Sequence, residues 1–350
     1  VANGATLTTT AADLLSDGAT LTNDGTLNLG GDQTLTNLLG SGTGAVNIGA
    51  NNLLLTGGVN YQGRINGESG NVISEGDLIL GGDNTFSGDL LILDGSTTIL
   101  SGSVNTSSVF VAPAGELTLG TSERIADRSL LLVSGILNTN GTETVELFDV
   151  LGGTVNGEGT VTALAYFLGD ATVNANLGTG DIDSNGETLL RGNTDADRVT
   201  VAGGTLTLDG ALTNNAASVT VENGTLAANG SVAASSIDIQ AGANLTTGEA
   251  ERLNDGVALN ADGTVSLGGN ETIGDLSGGG TIANNGNALT VNQSSDRSFS
   301  GNITGAGGLT KRGEAALTLT NGSDFTGEAT IEQGTLTLSG ALATNAINVA

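Results

Sequence analysis

The chain has 350 residues, of which 58 are Gly and one is Pro (Pro113); 37% are hydrophobic, only 2% aromatic, and Trp, Met, Cys and His are absent. Without His or Cys, the triads and zinc sites of common hydrolases and any disulfide framework are excluded. The 37 acidic residues against 9 basic ones give a formal charge of -28, a surface that repels nucleic acid and anionic lipid.

The interior must be built from Val, Ile, Leu, Ala and Thr, because the aromatic side chains that dominate ordinary cores are scarce. No apolar run reaches membrane-spanning length, so no direct membrane insertion by this segment is expected, and no signal peptide opens the chain. A start at Val1 and a stop within a repeat at Ala350 read as an excised part of a longer protein.

In chain order, the first unit to stand out is LLSDGATLTNDGTLNLGGDQT, residues 14 to 34. Short alternations of aliphatic residues with Thr, Ser or Asn, broken by Gly, Asn or Asp, predict strands between tight turns and no helix. The Gly-rich GTGAVNIG (42 to 49) leads into no helical pattern and lacks GK[ST], so it is a weak phosphate-loop signal. LILDGSTTILSG at 91 and VFVAPAGELTLG at 109 show a finer form: strand, turn residues, strand, Gly. ERIADRSLLLVSGILNTNGTET (123 to 144) is a looser copy of the opening unit.

Beyond it, VTVAGGTLTLDG at 199, VTVENGTLAANG at 219 and IDIQAGANLTTG at 237 repeat the fine form every 18 to 20 residues. RLNDGVALNADGTVSLGGNET (252 to 272) then restates the opening unit 238 positions later, pairing Leu15, Asp17, Gly18, Leu21, Gly25, Leu29 and Thr34 with Leu253, Asp255, Gly256, Leu259, Gly263, Leu267 and Thr272. The same offset sets Tyr61 on Phe299, which predicts a structural aromatic rather than an exposed sugar platform. GDLSGGGT (274 to 281) repeats the weak Gly-rich signal.

A unit of this length has too little apolar area to stand alone, so successive units must stack. The predicted fold is all-β: a right-handed parallel β-helix, the hand following the crossover rule. It is expected to form one continuous solenoid over 1–350, built of related blocks at about 1–119, 120–247 and 248–350. At a strand spacing of about 4.8 Å, some 17 or 18 coils would make a monomeric rod roughly 80 Å long. A β-sandwich array suits the coarse repeat, but not the fine repeat or the dearth of aromatics.

The candidate metal site is DIDSNGETLLRG, 181 to 192, where Asp181, Asp183 and Asn185 have the 1, 3, 5 spacing of a calcium loop and Gly186 permits its sharp turn. Position twelve is Gly192, which lacks the closing bidentate carboxylate, so an ordinary Asp/Asn/Gly turn competes with calcium. No other cofactor and no catalytic residue is expected. Asp17, Asp127 and Asp255, with Arg124 and Arg252, recur where each block begins, either as a repeated ligand loop or as side chains capping a turn or short helix.

GGLTKRG (307 to 313), LTLTNGSDFTG (317 to 327) and GTLTLSG (334 to 340) resemble the autotransporter-associated strand repeat of bacterial surface proteins, with Phe325 where that family usually has Tyr. The likeness covers 12 to 112 and 250 to 350 well and the middle loosely. It implies a β-helical stalk of a secreted adhesin, held at the bacterial cell surface through outer-membrane-anchored regions elsewhere and exported by a type V route. Its partners would be exopolysaccharide or ligands on host or neighbouring cells, and its roles adhesion, aggregation and biofilm formation. A surface-layer or extracellular matrix component and a polysaccharide-active β-helix enzyme are the alternatives.

Overall fold

The structure is a computed structural model that describes residues 1–18 and 20–350. Among the described residues there is no helix, and therefore none long and apolar enough to cross a membrane. The chain divides into two compact units, Val1–Gly178 and Thr179–Ala350. Each is a β-solenoid of short parallel strands, and about 18 turns are formed in all.

Two-residue alternation creates the coil. In Val1–Gly178 the residues Leu53, Val72, Leu90, Val109, Leu131, Phe148 and Tyr166 are register partners in successive parallel strands, 17 to 22 positions apart. All seven are buried. Their neighbours in sequence point outward, as the pleat of a strand requires. Phe148 meets Tyr166 edge to face at 6.4 Å, and the Tyr166 hydroxyl donates to the Val161 carbonyl at 3.2 Å and accepts from the Ala163 amide at 3.0 Å.

In Thr179–Ala350 the corresponding ladder is Ile182, Val199, Val219, Ile237, Leu259 and Leu276. A second, Leu206, Leu226, Leu245, Val265, Ile282 and Ile303, runs on another face of the same unit. The expected equivalence of Tyr61 and Phe299 holds in burial, since both are wholly enclosed. Burial pushes the Tyr61 hydroxyl up to about 12, against the relief supplied by the Asn23 amide that donates to it at 3.0 Å.

Outward polar residues also stack. Asn47 donates to Asn28 at 2.8 Å and Asn66 to Asn47 at 3.0 Å. Each amide both gives and accepts a bond, so the row is a continuous chain of hydrogen bonds on the surface.

Stacked turns bring backbones together where a side chain has no room. A Cβ on Gly210 would lie 2.1 Å from the Gly192 carbonyl oxygen, and one on Gly230 1.8 Å from that of Gly210. The obstruction is backbone, which has nowhere to retreat without breaking register. Gly230→Ala should therefore cost roughly 1–3 kcal/mol and lower the melting temperature. Gly58→Ala, which meets nothing within 4 Å, should leave it unchanged in the same thermal scan.

Candidate functional site

The calcium-loop spacing at Asp181, Asp183 and Asn185 falls within an extended strand, Asp181–Leu190, not a loop. Alternate residues of a strand lie on one face about 6.6 Å apart, so these three side chains do not converge as a loop would make them. Asp181 forms an ion pair with Arg198, its register partner in the next strand. The sharp turn expected at Gly186 survives as a local irregularity: the register shifts between Ser184 and Asn185, and Gly186 has φ 102°. Among the described residues no group of three or more acidic side chains is gathered as a metal site. The Gly-rich stretches at 42 to 49 and 274 to 281 contain strands Ala45–Gly49 and Leu276–Ser277 and open no helix.

The recurring block start is a clasp. Asp13, Glu123 and Glu251 have φ of 52°, 51° and 51°, a left-handed kink at equivalent places in the three copies. The kink leaves the following backbone amides without strand partners, and a buried side chain from the next coil takes them up. The Glu143 carboxylate accepts from the amides of Arg124 (2.9 Å) and Ile125 (2.6 Å). Glu271 does the same for Arg252 (2.9 Å) and Leu253 (3.2 Å). In the first copy Gln33 accepts from Leu15 at 3.0 Å and turns its own amide to the Ala11 carbonyl at 2.9 Å.

Gln33, Glu143 and Glu271 are each 1% exposed. The aspartates noticed in sequence, Asp17, Asp127 and Asp255, are exposed turn residues beside this clasp. The signal for the true capping residue was adjacent to the matched Thr34 and Thr272, and to Thr144 at the end of the looser copy, one position earlier in each.

A different surface distinguishes Val1–Gly178. From Leu54 onward, after Thr34 in the preceding strand, the outward partners in its largest ladder are Leu54, Ile73, Leu91, Phe110, Leu132, Asp149 and Phe167. Six of the seven are large and apolar; Phe167 is exposed and the other five are half-buried. The next outward column adds Leu130 and Leu147, and Leu151 and Leu164 are 63% and 75% exposed. Beside them is a surface groove of about 480 Å³ lined by Asp127, Arg128, Thr144, Val145, Glu146 and Leu164. The comparable outward column of Thr179–Ala350 reads Asp183, Thr200, Thr220, Asp238, Asn260 and Ser277. That column is polar throughout, and the exposed apolar side chains of the second unit, Leu338, Ile347 and Val349, lie near its C-terminal end.

Asp149 interrupts that row between Leu132 and Phe167. Its partial burial raises its pKa above the ordinary Asp value. Among the described residues no hydrogen bond or ion pair compensates the carboxylate. The face can thus supply dispersion, apolar burial and one partly desolvated carboxylate, a chemistry suited to binding. No protein-family model, no curated protein and no solved structure matches the chain.

Burial pushes the Glu143 carboxyl from 4.5 up to about 7, against the lowering effect of its two amide donors; Glu123 nearby raises it and Arg124 lowers it. A folded-state pKa above the unfolded one favours the fold below the unfolded value, and that contribution is lost as pH rises through the folded value. The stability of native protein should therefore decline between about pH 4.5 and about pH 7, by roughly 3 kcal/mol at this residue. Glu143→Gln, the residue that serves at Gln33, should flatten this decline in melting temperatures taken across the interval. An unaltered slope would show that Glu143 does not titrate there.

Proposed function

We propose that this chain is a structural segment of a secreted bacterial surface adhesin, the solenoid stalk of an autotransporter-like passenger, with no catalytic role. The observation that carries the reading is the run GGLTKRG, LTLTNGSDFTG and GTLTLSG between 307 and 340. Its residues serve the coil in a particular way. Lys311 occupies an inward position between Val291 and Ile331 and is fully buried. Its ammonium donates to the carbonyls of Arg312 (2.5 Å), Gly313 (2.8 Å) and Gln333 (3.2 Å), tying a turn to the coil that follows. Desolvation lowers its pKa. A lysine spent on holding two coils together supports a repeat selected for stacking.

On this reading the acidic exterior keeps neighbouring copies apart and soluble. Attachment to exopolysaccharide or to ligands on host or neighbouring cells would rest on outward faces, while the aliphatic ladders supply cohesion. Stacking energy that accumulates coil by coil would also favour movement of the chain outward through a membrane channel.

The test is to express the full-length gene product in its bacterial host and probe intact cells with an antibody raised against residues 1–350. Labelling of intact cells, its loss on external protease treatment, and weaker cell aggregation after deletion of the gene are expected. Labelling seen only after permeabilisation would overturn the proposal.

A further inference from the structure

We propose that the apolar face of Val1–Gly178 is a docking surface for a cationic amphipathic helix of a partner protein. The inference concerns this face alone and does not depend on where the chain is displayed.

The geometry selects the shape of the occupant. The outward ladder from Leu54 to Phe167 has seven rungs, a span of about 29 Å at a strand spacing of about 4.8 Å. An α-helix lying along the row advances about 5.4 Å per turn. One apolar side chain per helical turn therefore meets approximately one rung per coil, and about 19 residues cover the row. Residues at i, i+3, i+4 and i+7 would face Leu91, Phe110 and Leu132. An added strand has no place here, because the backbone groups of these strands already pair with the coils on either side.

The charge selects its sign. Val1–Gly178 has 18 acidic residues and three Arg, so a second copy laid on this face would bring like charge against like. Asp149, set in the row with no ion pair among the described residues, asks for a Lys or Arg at the rung between Leu132 and Phe167. Asp127 and Glu146, in the groove beside Leu164, would receive basic residues on the flank of the same helix. Arg128 in that groove opposes them, and leaves the acidic pair ahead by one charge. A cation whose counter-charge is already partly desolvated gains more from pairing than one placed on the open surface.

The experiment uses the intact chain and three synthetic peptides of about 19 residues: an amphipathic Leu/Lys helix, the same peptide with Glu for Lys, and a scrambled Leu/Lys sequence without a continuous apolar face. Fluorescence anisotropy should report saturable binding of the first alone. Phe110→Thr and Leu132→Thr, which place on this face the residue found outward at Thr200 and Thr220, should each weaken binding about tenfold with circular dichroism unchanged. Asp149→Asn should weaken it as well, and Thr207→Ala, on the other unit, should not.

Equal binding of the scrambled peptide would reduce the effect to attraction by net charge and overturn the proposal. So would binding indifferent to Phe110→Thr and Leu132→Thr. Sedimentation of the peptide-free protein supplies a further check: a concentration-dependent dimer abolished by those two variants would assign the face to a second copy instead.

Discussion

The whole structure depends on register between successive coils. A single coil buries almost nothing by itself, so its inward side chains are sheltered only if they fall directly on those of the coils before and after it. Leu90 is covered because Val72 and Val109 are its partners. The backbone is bound by the same condition, since each strand's amides and carbonyls are satisfied by neighbouring coils. A slip of one residue would turn the aliphatic row outward and the Thr and Asn row inward.

Keeping register obliges the chain to close each coil with a bend, and every bend leaves polar groups that the strands do not use. The protein answers with buried polar side chains from an adjacent coil. Glu143 and Glu271 hold two amides each at a left-handed kink. Asn84 accepts from the Ile65 amide at 2.9 Å and Gln293 from Leu276 at 3.3 Å. Lys311 does the complementary work for carbonyls. Burying such groups is costly unless each is bonded, so they fasten one coil to the next and also fix which residues meet.

Because cohesion is internal, the outside is free to vary. One unit covers its outward column with Thr, Asn, Ser and Asp, and the other with Leu, Ile and Phe interrupted by a carboxylate. Neither choice disturbs the inward ladders, since alternate residues of a strand belong to opposite faces. Surface rows on such a scaffold can therefore differ without leaving any trace in the repeat that makes the fold.

The all-β character, the parallel stacking and the coil length of roughly 18 to 20 residues were legible in sequence, because period-two alternation and recurring Gly record the local demands of a coil directly. The burial of Tyr61 and Phe299 followed from their repeat positions for the same reason. The spacing of Asp181, Asp183 and Asn185 was ambiguous in sequence, because i, i+2, i+4 is shared by a calcium loop and by one face of a strand, and the structure sets it in a strand. The clasp of Glu143 on Arg124 and Ile125, the carbonyl cage of Lys311 and the row from Leu54 to Phe167 join residues about twenty positions apart. Composition and pattern determined that coils would stack; only the tertiary register decided which outward residues share a column, because small differences in coil length shift that alignment and are summed along the chain.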